Sequence, residues 1–156
     1  MKNKALKDWV FLSIQLFIFL MYLNDVPFLE WEISKDQKIF FQLIASVGFL
    51  WVLLAIMSMN TLVSPFPSPK EGMQLQTKGV YAFSRHPIYT GILILLYAWG
   101  VSQASEYKIA IGLVFHVFIY FKAKYEERLL NNTFPEYRNY QNTTGMFFPN
   151  VFNFKK

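Results

Sequence analysis

The sequence predicts an all-α integral membrane helical bundle of about four transmembrane helices, with both termini cytoplasmic. Three observations lead there. Hydrophobic residues make up 54% of the 156-residue chain and charged residues only 16%, where a soluble domain averages roughly 45–50% and about 25%. The apolar residues fall in four long runs instead of alternating, so lipid is the expected solvent for much of the chain. Lys and Arg are distributed unevenly between the two sides that those runs define.

The first run goes from Trp9 to Leu23, extendable to Leu29. Asn24-Asp25-Val26-Pro27 follows, with no small-residue cleavage site, so this run reads as an anchor and not as a signal peptide. The second run, Ile39 to Met59, has only Gln42, Ser46 and Ser58 as polar interruptions. The third begins at Ile88 and fades near Gln103, and the fourth covers Ile109 to Phe121. Crossing the hydrocarbon core takes about 20 apolar residues. The second run meets this; the others need their polar ends in the interface, where Trp9, Tyr22, Trp31, Tyr107 and Tyr120 are suitable anchors. The chain then divides into an N-terminal membrane anchor, 1–59, and a unit at 60–156 that carries the polar chemistry.

Lys2, Lys4 and Lys7 precede the first run, Lys70, Lys78 and Arg85 lie between the second and third, and Lys122, Lys124, Arg128, Arg138, Lys155 and Lys156 follow the fourth. The opposite side has only Lys35, Lys38 and Lys108. The positive-inside rule places the richer side in the cytoplasm. The net charge of +5 therefore tracks the membrane pattern, and no nucleic-acid partner is expected. The absence of Cys excludes disulfides, thiolate metal sites and a cysteine nucleophile, and two His are too few for a histidine-rich metal site.

Two polar segments share the cytoplasmic side. In the first, Pro65, Pro67 and Pro69 alternate, favouring an extended polyproline-like stretch. Gly79 marks a turn, and Tyr81-Ala82-Phe83 lead into Ser84-Arg85-His86-Pro87. Pro87 suits the first turn of a helix, which puts Arg85 and His86 at a helix start whose free N–H groups and dipole favour an anion. In the second, Glu126 and Glu127 follow the last apolar residue by one to two turns. They are adjacent and so point about 100° apart, and only one faces a given pocket squarely. Glu126 also falls four residues after Lys122, the spacing of a surface pair. Helices three and four are joined by a short loop and should be antiparallel neighbours, bringing the Arg-His start and the Glu-Glu end together as a site for a small zwitterion.

The run Gly79-Val80-Tyr81-Ala82-Phe83-Ser84-Arg85-His86-Pro87-Ile88-Tyr89-Thr90-Gly91 resembles the G-x-Y-x-x-x-R-H-P-x-Y-x-G motif of the isoprenylcysteine carboxyl methyltransferase and phospholipid methyltransferase superfamily. Glu126-Glu127-Arg128-Leu129-Leu130, with Phe134, Tyr137, Tyr140 and Phe148-Pro149, resembles its second motif, E-E-x-x-L with trailing aromatics. The resemblance covers roughly residues 60–150. It implies transfer of a methyl group from S-adenosylmethionine to a lipophilic or small acceptor at the membrane. It also implies a cofactor pocket lined by Tyr81, Arg85, His86, Tyr89, Glu126 and Glu127, with Arg85 and Glu126 as the catalytic pair. The residue types suit the cofactor. Arg suits its carboxylate, Glu its ammonium or ribose hydroxyls, and an aromatic face its sulfonium. Carboxylate, thiol and amine acceptors all stay open. The chain is shorter and has fewer spans than eukaryotic members, so a lipid-tail groove is expected to be built differently or by a homodimer. The short chain and lack of retention signals point to a bacterial inner membrane.

Two rival functions share parts of the pattern: a sterol-reductase-like enzyme using NADPH, and a non-enzymatic membrane subunit that keeps the fold. Individual residues have plainer readings too. Arg85 and His86 can snorkel at the interface, and Glu126 and Glu127 can be a solvated helix end. Tyr137 and Tyr140 read as packing or interfacial residues. Mid-span His116 reads as a hydrogen-bond partner for a neighbouring helix. Met146-Phe147-Phe148-Pro149 either packs back on the bundle or lies in the interface. The glycosylation-like patterns at Asn131 and Asn142 should be inert on the cytoplasmic side.

Overall fold

A computed structural model of the chain describes residues 2–24, 26, 31–59, 66–68 and 72–150, the side chains of residues 2–5 excepted. Pro65, Pro69 and the extension of the first run toward Leu29 lie outside the described residues. Within them all regular structure is helical: α1 (Lys2–Leu23), α2 (Lys35–Met57), a 3-10 turn (Gly79–Ala82), α3 (Pro87–Ser102), α4 (Glu106–Thr133) and α5 (Tyr137–Thr143). Among the described residues two helices, α1 and α2, are long and apolar enough to cross a membrane. The other two expected spans are the 16-residue apolar helix α3 and the first part of α4.

Local chemistry sets the helix ends. Ser34 and Gln37 form a reciprocal capping box at the start of α2, the Ser34 hydroxyl accepting from the Gln37 N–H at 3.2 Å and the Gln37 side chain from the Ser34 N–H at 2.9 Å. Ser105 caps α4 by accepting from the Lys108 N–H. Between α3 and α4, Ala104 turns the chain at φ 49°. Pro87 opens α3, where its missing N–H leaves no bond unmade. At 1.5 Å per residue α3 is about 24 Å long and the 28-residue α4 about 42 Å. Helix α4 therefore outruns the start of its neighbour, and Glu126 and Glu127 stand where the two helices' lengths part.

Laterally the helices follow the order α2, α3, α4, α1, with α3 and α4 in the middle. Helices α2 and α3 cross at Gly48 and Gly91, where a Cβ on Gly91 would meet the Gly48 carbonyl oxygen at 2.7 Å and one on Gly48 the Leu95 N at 2.8 Å. Small residues at such crossings let backbones touch where no hydrophobic effect drives association. Gly91→Ala is expected to force the pair apart and cost about 1–3 kcal/mol, read as a lower unfolding temperature in detergent; an unchanged transition would refute the close crossing.

Helices α1 and α4 pack antiparallel along matching stripes. Asp8, Phe11, Gln15, Ile18 and Tyr22 recur at alternating spacings of three and four, as do Lys108, Ile111, Phe115, Phe118, Lys122 and Tyr125. That spacing lets two helices interdigitate along a seam. Phe19 meets Phe115 at 5.0 Å between ring centroids, and Phe11 stacks on Tyr125 at 5.2 Å. Lys108 Nζ donates to the Asn24 carbonyl at 2.8 Å and the Tyr107 hydroxyl to that of Met21 at 3.1 Å, closing the C-terminal end of α1. The buried core runs through Ile18, Tyr22, Leu93, Leu96, Phe115, Ile119 and Phe147. Outward, Phe17, Leu20, Leu43, Leu50, Val114 and Val117 are exposed, an apolar exterior suited to lipid.

Candidate functional site

The two halves of the predicted site meet. Arg85 approaches the start of α3 and is half-buried; the Glu127 side chain, on α4, is only 2% exposed. Arg85 Nε donates to Glu127 Oε1 at 2.8 Å, and its Nη2 lies 2.7 Å from the same oxygen. The Arg85 Nη1 donates to the carbonyls of Gln141 (3.0 Å) and Thr144. Gln141 Nε2 donates to Glu127 Oε2 at 2.8 Å, and Asn131 in turn holds Gln141. The guanidinium is thus a rivet joining the α3 start, the α4 end and α5. Burial works against ionising Glu127, but His86 and the Arg85 guanidinium outweigh it and hold the carboxyl below the usual range.

Glu126 is the centre of a second group. The Tyr89 hydroxyl donates to its Oε1 at 2.5 Å, and His86 Nδ1 lies 3.5 Å from its Oε2. Burial raises the Glu126 carboxyl above its ordinary range, while His86 and then Lys122 pull the other way. Tyr81, in the 3-10 turn, has its phenol pushed up to about 12 by burial and by the Glu126 charge. The His86 and Tyr89 rings lie parallel at 5.4 Å. His86 Nε2 is 3.4 Å from Glu127 Oε1 but is buried without a hydrogen bond among the described residues. All six sequence-predicted residues, Tyr81, Arg85, His86, Tyr89, Glu126 and Glu127, fall in this one cluster.

Three details differ from the sequence expectation. Both glutamates engage the site, because it wraps the α4 end: Glu127 faces Arg85 and Gln141, while Glu126 faces Tyr89. The Arg85 and His86 N–H groups are not free for an anion, since they donate to the Gly145 and Met146 carbonyls at 2.9 and 3.1 Å. Lys122 is not half of a surface pair; it is 1% exposed and donates to Gln15 Oε1 at 2.6 Å.

Met146 and Phe147 pack back on the bundle, while Phe148 and Pro149 stay exposed. Ser84 Oγ donates to the Met146 carbonyl and Thr90 Oγ1 to that of Phe147. Tyr137 and Tyr140 are buried against each other at 5.8 Å, the Tyr140 hydroxyl donating to the Tyr81 carbonyl. His116 pairs across helices with the Tyr97 hydroxyl at 3.2 Å, as expected. Sequence reasoning misses Gln141, Thr90, Gln15 and Asp8. The last two had a signal, being polar positions of an otherwise apolar α1 stripe.

On the far side of Phe147 an apolar cavity of about 290 Å³ lies between α2, α3 and α4. Thr90, Tyr97, His116 and Phe147 line it with aliphatic residues of α2 and α3. Phe147 touches both regions, its ring 6.3 Å from His86 and 5.9 Å from His116.

A helical bundle with paired Arg-His and Glu-Glu motifs at one end defines a class, and comparison with known proteins supplies the family. The phospholipid methyltransferase family model matches residues 39–137. The chain belongs to that family. The match takes in α3, α4 and nearly all of α2 and leaves α1 outside. The chain is 30% identical over 112 residues to the nickel-cobalt-cadmium resistance protein NccN of Alcaligenes xylosoxydans xylosoxydans, covering 71% of this chain and 47% of that protein. It is 28% identical over 109 residues to the cobalt-zinc-cadmium resistance protein CzcN of Cupriavidus metallidurans, covering 69% and 45%. It is 26% identical over 155 residues to methanethiol S-methyltransferase 1 of Bradyrhizobium diazoefficiens, covering 90% and 52%. The chain spans about half the length of these curated relatives.

Proposed function

We propose that this chain is a membrane methyltransferase that binds S-adenosylmethionine among Tyr81, Arg85, His86, Tyr89, Glu126 and Glu127. The observation that carries the reading is the convergence of Glu126 and Glu127 on Arg85, His86 and Tyr89, in a chain of the phospholipid methyltransferase family. The residues present fit such a ligand. Glu126 offers a carboxylate to a cationic group, and the parallel His86 and Tyr89 rings offer aromatic faces. His86 Nε2, 3.4 Å from Glu127 Oε1, offers a further polar contact. Arg85 and Glu127, already paired, hold these groups at fixed positions; a carboxylate ligand would share the guanidinium with Glu127.

When bound, S-adenosylmethionine supplies an electrophilic methyl group. The chain's own residues position the donor, aim the acceptor and exclude water. The apolar cavity beside Phe147 suits a small or lipophilic acceptor arriving from the bilayer side. The methanethiol S-methyltransferase relative supports a thiol within that class. In this reading α3 and α4 complete four spans of a bacterial inner membrane, and the charge asymmetry of the sequence puts both termini and the site on the cytoplasmic side.

Isothermal titration of the detergent-purified protein tests the reading. S-adenosylmethionine and S-adenosylhomocysteine are expected to bind in the micromolar range, with NADPH as a non-binding control. Glu126→Gln is expected to weaken adenosyl binding about tenfold or more, the scale of a hydrogen bond to a charged group. A folded sample that binds neither adenosyl ligand overturns the assignment; NADPH binding in their place supports the reductase alternative.

A further inference from the structure

Helix α1 lies outside the family match and carries no motif, yet it brings two buried polar side chains to the site. Asp8 is 7% exposed and its Oδ1 has no hydrogen-bond partner among the described residues. Gln15, two turns on along the same stripe, accepts from the Lys122 ammonium. Lys122 lies one turn before Glu126 on α4, so their side chains share a face. Its Nζ also sits 5.4 Å from the centroid of the Tyr89 ring, and the Tyr89 hydroxyl is bonded to Glu126. A lysine 1% exposed in a membrane bundle is costly unless compensated. Here the compensation comes from both sides, α1 and the Glu126 group.

We propose that Lys122, seated by α1 through Gln15, is a positioning residue that holds Glu126 as the charged carboxylate a cationic ligand needs. The ammonium acts on Glu126 and not on the ligand itself. This inference rests on the reading of Glu126 as a cofactor-binding residue, and it gives α1 a part in the site beyond anchoring. The groups facing Glu126 are His86 and Tyr89 from the α3 start, Tyr81 from the 3-10 turn, and Lys122 and Glu127 on α4 itself. Asp8 faces Lys122 from α1. Removing the Lys122 charge leaves burial less opposed, so Glu126 must hold its proton to higher pH.

The test is infrared titration of the protonated-carboxyl band in the full protein reconstituted in lipid, with Glu126→Gln identifying the Glu126 signal. In Lys122→Met that signal is expected to titrate on the order of one pH unit higher than in wild type, whereas Lys122→Arg keeps the wild-type midpoint. Gln15→Leu, which leaves the charge but removes its seat, is expected to give a smaller upward shift. It also keeps the proposal falsifiable if Lys122→Met does not fold. Adenosyl binding to Lys122→Met is expected to be weak at low pH and to recover as pH rises through the displaced midpoint. A merely structural loss would weaken binding equally at every pH. An unmoved Glu126 titration in folded Lys122→Met, or in Gln15→Leu when only that variant folds, overturns the proposal. Absence of adenosyl binding in wild type would instead sink the functional reading, while the carboxyl titration would still decide the role of Lys122.

Discussion

Glu127→Ala is expected to lower the stability of the folded protein by about 3 kcal/mol, the scale of removing one partner from a buried ion pair. The Arg85 guanidinium would keep its bonds to the Gln141 and Thr144 carbonyls but lose its counter-charge. His86 and Gln141 would lose a neighbour in the same step. Unfolding in detergent, followed by circular dichroism, should show a transition lower by roughly 10 °C. The pH dependence has a definite sign. The folded Glu127 carboxyl lies below its ordinary range, so its contribution is fully present above the unfolded value near pH 4 and is lost as pH falls through the lower folded value. Glu127→Gln should therefore flatten the acid limb of the stability profile. If the acid limb of Glu127→Gln matches wild type, the Arg85–Glu127 pair does not contribute as described.

Gly145→Ala is expected to be as damaging, although it adds a single methyl group. A Cβ at this position collides with the backbone carbonyl of Phe148, and backbone cannot step aside as a flexible side chain can. The 145–148 turn would have to open, releasing the acceptors of the Arg85 and His86 N–H groups and of the Ser84 and Thr90 hydroxyls. Each such bond is worth about 0.5–1.5 kcal/mol net, so a loss of about 3 kcal/mol is expected. Amide hydrogen exchange reads it locally: Arg85 and His86 should be protected in wild type and exchange freely in the variant. Retained protection at both amides would refute the fastening.

Much of this arrangement is legible in the sequence, and the parts that are not have physical reasons. Helix α2 is a continuous apolar run. Helix α1 begins at Lys2, ahead of Trp9, and α4 continues to Thr133, past Phe121. Hydrophobicity marks where a helix meets lipid, not where its hydrogen bonds stop. The meeting of Arg85 with Glu127 follows from a short hairpin and antiparallel helices. The acceptors of the Arg85 Nη1 and backbone N–H groups do not follow, because they are main-chain carbonyls that any sequence would supply. The 100° between adjacent helical residues suggests that one glutamate must face away. That inference fails here because neighbours stand on two sides of the α4 end. Lys122 reads as a surface residue from its spacing to Glu126; its burial depends on Gln15, which is distant in the chain and recognisable only once α1 is laid against α4.

The carbonyls of Gly145 and Met146 accept from the Arg85 and His86 amides, which fixes when the site can close during synthesis. Synthesis runs from the N-terminal end, so α1 to α4 are all made before Gly145. Until then the Arg85 rivet lacks its Thr144 anchor, and the amides ahead of α3 lack their partners. The bundle can be present while the pocket stays unlatched. Closing it is thus a late event in folding, and a released chain truncated before Gly145 would carry all four long helices but lack the acceptors of the Arg85 and His86 amides.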